Sequence, residues 1–150
     1  MKRTALWAIV IGALAGAGTL GAEQAYAGQD EAKCSLATLK GLYMFAESGY
    51  LTVSGSLVPE GVTGKAIFHG NGSFDSLATI STGGDIVPGD AAPGTYTLNS
   101  DCTGTVTVLM KAPAPDVHLD IFVAPDGDEI FNIETDPGTV LSGTERRVAR

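Results

Sequence analysis

The chain has 150 residues, 9 of them Lys or Arg against 17 Asp or Glu, for a formal net charge of −8. Nucleic-acid binding rests on neutralising phosphates with Lys and Arg, so this balance argues against a nucleic-acid partner and equally against adhesion to anionic lipid. With only two cysteines and two histidines, the composition offers little material for a dedicated metal site.

The chain opens Met1-Lys2-Arg3, runs apolar from Ala5 to Leu20 and reaches Ala25-Tyr26-Ala27. A basic start, a short apolar stretch and a small-residue motif describe a cleavable signal peptide over residues 1–27. The apolar run is shorter than the ~20 residues of a spanning helix, so the expectation is an exported, periplasmic or secreted protein without stable membrane anchoring after cleavage. Cleavage removes Lys2, Arg3 and Glu23, which shifts the charge to about −9. It leaves residues 28–150, a size suited to one domain with one core. The composition carries no signal of oligomeric state.

Cys34 and Cys102 form an even pair in a chain bound for export, which reads as a disulfide. They are too far apart in sequence for a redox or metal motif. A bridge would close a loop of nearly 70 residues.

After a helical turn expected over residues 34–40, short apolar or alternating runs follow one another, punctuated by Gly, Pro, Asn and Asp. That is the all-β signature. Strands are predicted at 41–46, 50–58, 64–69, 73–82, 94–99, 104–111, 117–124, 129–135 and 139–147. His69-Gly70-Asn71-Gly72 and Asp126-Gly127-Asp128 read as tight turns, because these residues tolerate positive φ. Residues 82–93, with Gly83, Gly84, Pro88, Gly89 and Pro93, read as a long irregular connection. So many short strands would leave open edges as a flat sheet, so closure is expected: a small antiparallel β-barrel of about eight strands, mostly up-and-down.

Four blocks carry a family resemblance: Leu39-Lys40-Gly41-Leu42-Tyr43-Met44-Phe45; Phe68-His69-Gly70-Asn71-Gly72-Ser73-Phe74; Gly94-Thr95-Tyr96 with Asp101-Cys102-Thr103-Gly104-Thr105; and Glu134-Thr135-Asp136-Pro137-Gly138-Thr139-Val140 with Gly143-Thr144. In this order they resemble a family of small exported bacterial proteins that look like relatives of the allene oxide cyclase barrel and of calycin-like β-barrels. The resemblance implies a central cavity. His69 departs from the pattern, which expects Asp in that turn. No cyclase catalytic residue maps onto the chain by any motif, so kinship of fold implies a cavity and no chemistry.

Candidate chemistry is sparse. His118 and Asp120 alternate with Val117, Leu119 and Ile121, so the two sets occupy opposite faces of a strand, with Phe122 on the polar one. Facing inward, His118 would be a general acid or base oriented by Asp120. Facing outward, both are solvated residues opposite a core stripe, the arrangement that aliphatic alternation favours. Glu134 shares a face with Ile130 and Asn132, a mixture suited to a pocket. The competing and preferred reading has it capping or pairing near the following turn, with Arg146 or Arg147. Asp126-Gly127-Asp128-Glu129 falls short of a calcium loop. No nucleophile elbow, phosphate loop or dinucleotide fingerprint occurs, so no cofactor or metal is expected. Tyr43, Tyr96 and Phe122 are the candidate cavity walls.

Three functions fit: binding of a small apolar molecule in the interior, cofactor-independent cyclisation or isomerisation with Glu134 or His118 moving a proton, and an interaction module without a ligand. The first is preferred.

Overall fold

A computed structural model describes residues 33–150, and the predicted signal peptide lies outside them. Eight antiparallel strands close into a barrel in sequential order, β8 pairing with β1. They are β1 (Lys40–Val53), β2 (Ser56–His69), β3 (Ser73–Thr82), β4 (Asp85–Leu98), β5 (Thr103–Val108), β6 (Val117–Val123), β7 (Glu129–Glu134) and β8 (Thr139–Ala149). The helical turn expected over residues 34–40 is a 3-10 turn, Leu36–Thr38.

Two of the predicted boundaries are corrected. The expected strand over residues 50–58 is the tip of the β1–β2 hairpin: Ser54 and Gly55 both take positive φ (50° and 81°), the geometry of a two-residue hairpin turn. Its neighbours merge into two strands of 14 residues each. The connection expected over 82–93 is mostly strand as well. Gly83-Gly84 alone makes the turn, and β4 starts at Asp85. A register shift between Ala78 and Ile80 accommodates Pro88 and Gly89, which lie between the paired residues Val87 and Asp90. Proline is tolerated there because β5 pairs with β4 only from Gly94 onward, so the first half of β4 has an edge free of a ladder partner.

The two ends of the barrel differ. One end is sealed by aromatic side chains and by the segment before β1. Phe68 lies 5.1 Å from Tyr43, 5.2 Å from Phe74 and 5.2 Å from Tyr96, ring centroid to centroid. Below this cluster, the Tyr96 hydroxyl donates to the Leu36 carbonyl (2.8 Å) and sits 3.0 Å from that of Leu39, so the 3-10 turn is held against the barrel floor. Gly94 lies beside this cluster for a steric reason: a Cβ there would collide with the Phe74 ring and the Thr107 carbonyl.

Arg147 completes the seal. Its side chain is only 8% exposed. Nε donates to the Tyr43 hydroxyl (2.9 Å), and Nη2 donates to the carbonyls of Thr38 and Gly127 (both 2.8 Å). The Tyr43 hydroxyl donates in turn to the Gly127 carbonyl (2.5 Å). Gly127 has φ +72° and abuts Arg147 and Thr38 so closely that no Cβ would fit. The acidic turn therefore belongs to the seal, with Asp128 pairing to Arg147 at 3.3 Å.

Cys34 and Cys102 are joined in a disulfide across a sequence separation of 68. It fastens the segment before β1 to the turn between β4 and β5, where Cys34 N–H also donates to the Ser100 carbonyl (3.1 Å). The other end of the barrel is the mouth, where β1 to β4 reach beyond the six- and seven-residue strands β5 to β7.

Candidate functional site

Above the aromatic floor of Phe68 and Phe74 lies a cavity of about 130 Å³ reaching toward the mouth. Strand alternation decides its lining. Inward positions of β3, β5 and β6 supply an apolar wall that includes Ala78, Val106, Leu119 and Ile121. Five carboxyl groups also line it, one each from β1, β2, β4, β7 and β8: Glu47, Glu60, Asp90, Glu134 and Glu145. Among the described residues, no Lys, Arg or His lines it.

The acidic side has an ordered centre. In the β1–β8 and β7–β8 ladders, Gly143 stands opposite both Glu47 and Asn132. A Cβ on Gly143 would collide with Glu47 Cγ and the Ala46 carbonyl. Its absence opens a gap over β8 through which Asn132 Nδ2 donates to Glu47 Oε1 at 2.7 Å. One step toward the floor, Glu145 stands opposite Phe45 and Ile130. Glu145 is 7% exposed and Asn132 is 6% exposed. The Oδ1 atom of Asn132 is buried without a hydrogen-bond partner, an arrangement that costs free energy unless something fills it.

Burial sets the protonation of these acids. Desolvation pushes Glu145 up to about 8, aided by the negative charge of Glu47 and opposed by a hydrogen bond from Asn132. Desolvation likewise raises Glu47 to about 7, opposed by Asn132 and reinforced by Glu134 and Glu60. Glu134 is raised in the same direction by partial burial, against a hydrogen bond from Thr139. Burial thus favours the neutral, protonated form of both Glu145 and Glu47, more strongly for Glu145. Glu60 accepts a hydrogen bond from Thr82 Oγ1 (2.5 Å) nearer the mouth.

The residues singled out from sequence are dispersed. Glu134 faces inward with Ile130 and lines the cavity, and it also takes a hydrogen bond from Thr139 just past the following turn, so it combines the two positions the sequence offered. Its expected arginine partners are engaged elsewhere, Arg146 with Glu129 at 3.9 Å and Arg147 with Asp128. His118 faces out and pairs with Asp136, Nδ1 to Oδ1 at 2.9 Å, so it stands apart from the cavity. His69 also faces out, 3.0 Å from Asp75. Phe122 is corrected as a wall candidate: it is 56% exposed on the outer face, across from Phe131. Tyr43 and Tyr96 are buried, yet they lie in the seal beneath Phe68, with their hydroxyls committed to backbone carbonyls. They support the floor and do not line the cavity.

Glu47, Asn132, Gly143 and Glu145 were not identified as a site from sequence. The available signal was alternation. Tyr43-x-Phe45-x-Glu47 and Leu141-x-Gly143-x-Glu145 each continue an apolar face into a carboxylate, whereas a surface strand would place the charge on the opposite face. No three His, Cys, Asp or Glu groups among the described residues converge closely enough to hold a metal ion. No protein-family model, curated protein or solved structure matches the chain.

Proposed function

We propose that the protein is an exported binding barrel that takes a small, largely apolar molecule into the cavity above Phe68 and Phe74. The observation that carries this reading is a cavity open toward one end, with an apolar wall and a few convergent polar groups, in a barrel whose other end is sealed. A cavity of ~150 Å³ lined by aliphatic and aromatic side chains accepts benzene, so a volume of about 130 Å³ suits a ligand of one ring, with any extension leaving through the mouth. Export rests on the leader motif and agrees with the Cys34–Cys102 disulfide, which persists in oxidising compartments. Kinship with allene oxide cyclase-like and calycin-like barrels is part of the same proposal, and the closed eight-stranded order is compatible with it.

Indole, whose second, fused ring extends toward the mouth, provides the test beside benzene. Isothermal titration is expected to give saturable binding with one site per chain, and Ala78→Phe, which fills the cavity from β3, is expected to abolish it. Failure of indole and benzene alike to bind the folded protein sinks the reading.

A second reading is favoured by the interior acids themselves: a cofactor-independent isomerase in which Glu47 takes a proton from a carbon acid and Glu145 donates to the developing oxyanion. Hydrogen exchange of 2-indanone in deuterated buffer reports that chemistry. The expected result is exchange above the buffer rate that is lost at least tenfold in Glu47→Gln. Equal rates with and without protein remove this reading and leave the binding barrel intact.

A further inference from the structure

We infer that the outer face of β6, β7 and β8 docks a second copy of this chain, in a twofold contact centred on Phe131. The inference is independent of the cavity, because strand alternation puts Phe131 on the opposite side of the barrel wall from its buried neighbours Ile130 and Asn132.

Phe122 stands directly opposite Phe131 in the β6–β7 ladder, and the two are 56% and 50% exposed. Ile133 extends the same face one outward position toward the mouth, and Thr144 of β8 stands across from Phe131 on its other side. Residues directly opposite in a ladder share a face, so these four side chains form one contiguous uncharged patch. A solvated face of this barrel looks different. On β4 and β5 the exposed positions Thr97 and Thr105 are hydroxyls 2.8 Å apart that bond each other. Single exposed apolar residues are ordinary, whereas a contiguous apolar patch marks a contact surface.

The occupant is identified by the charges at the corners of the patch. Asp120 lies two residues from Phe122 toward the mouth, and Arg146 lies two residues from Thr144 toward the sealed end. They are diagonally opposite, on β6 and β8, with Phe131 between them. In an isologous contact residue i of one copy meets residue j of the other, and j meets i. A twofold axis through Phe131, lying in the plane of the face and perpendicular to that diagonal, sets Phe131 against its own image and brings Asp120 to Arg146 of the second copy, twice over. Arg146 has room for this: its side chain is 79% exposed and its contact with Glu129 is 3.9 Å long. A uniformly acidic or basic partner would be attracted at one corner and repelled at the other, so the pattern suits a copy of itself. Three strands about 4.8 Å apart, each contributing about five residues, make a small interface, and the dimer is accordingly a reversible one.

The experiment is sedimentation equilibrium of the oxidised, exported protein from about 5 μM to about 500 μM, a span that brackets micromolar dissociation constants. The mass is expected to rise from one chain to two and to stop there. Phe131→Thr, which keeps a good strand former at the position, is expected to weaken dimerisation about tenfold or more and to leave indole titration unchanged. Asp120→Arg and Arg146→Asp are each expected to weaken it about tenfold, because each sets like charges together at both corners. Combined in one chain, the two reversals restore opposite charges across the axis and are expected to recover dimerisation. A merely structural role for either residue within its own sheet would not produce that recovery.

A mass of one chain across the whole range overturns the inference, as does association that continues past two chains. So does a dimer that Phe131→Thr leaves as tight as before. A doubly reversed chain that dimerises no better than the single reversals overturns the corner pairing and with it the twofold contact.

Discussion

Replacing both Cys34 and Cys102 with alanine is expected to lower the stability of the barrel by about 4 kcal/mol and its melting temperature by about 15 °C. The bridge spans 68 residues, so most of the chain's conformational freedom between the first barrel segment and the β4–β5 turn is restricted in the unfolded state. The folded state loses more than a tether. Cys34 leads directly into Leu36–Leu39, whose carbonyls are satisfied by Tyr96, and into Thr38, whose carbonyl accepts from Arg147. Leu39 is fully buried beneath the aromatic cluster. Without the bond this segment has only a short 3-10 turn and a few hydrogen bonds to resist fraying, and fraying exposes the floor of the cavity.

The measurement is urea unfolding followed by circular dichroism, comparing the oxidised protein, the double alanine variant and the protein kept under reductant. The variant and the reduced protein should agree with each other and fall well below the oxidised form. A double variant within about 0.5 kcal/mol of the oxidised protein contradicts a stabilising role for the bridge.

Much of this frame is legible in the residues because single physical signals were unopposed. The Val117-Leu119-Ile121-Val123 alternation marks an inward face, and two cysteines far apart behind a leader-like N-terminus have few readings besides a disulfide. The structure departs from the sequence pattern where two signals compete. Ser54-Gly55 turns the chain without Asn or Asp at its first position, so an apolar run on either side masked the hairpin. Pro88, Gly89 and Pro93 carry the composition of a loop, but the missing N–H groups fall on a strand edge without a β5 partner, where they break no ladder.

The site was hidden for a related reason. Aromatics favour interiors, which points to them as the cavity wall, but Tyr43 and Tyr96 bring hydroxyl groups that seek backbone carbonyls, and those carbonyls lie in the sealed end. The polar centre depends on what is missing at Gly143. A glycine between two strands announces nothing in sequence, and its effect, letting Asn132 reach Glu47 across β8, exists only once β1, β7 and β8 are adjacent.

Those interior acids make the protein's stability depend on pH in a direction opposite to that of most carboxylates. Glu145 has an ordinary value of 4.5 in the unfolded chain and about 8 in the barrel. Below pH 4.5 both states hold the proton, and the folded state gains its full advantage. Between pH 4.5 and 8 the unfolded chain has released a proton that the folded chain keeps, so stability falls as pH rises, by up to about 1.4 kcal/mol per pH unit for each such group. Glu47 acts in the same sense between 4.5 and about 7. Summed over Glu145 alone, the decline from pH 5 to pH 8.5 is on the order of 4 kcal/mol.

Glu145→Gln removes the ionisation while retaining a neutral group of the same size. Its unfolding free energy is expected to match that of the unsubstituted protein at pH 5 and to exceed it by roughly 4 kcal/mol at pH 8.5, with the pH profile correspondingly flatter. Denaturant midpoints at pH 5, 7 and 8.5 provide the check. A decline of equal steepness in Glu145→Gln and Glu47→Gln would place the titrating groups outside this cluster. A protein that gains stability when a buried acid is neutralised is keeping that acid at a cost, and natural sequences tolerate such costs chiefly where function requires them.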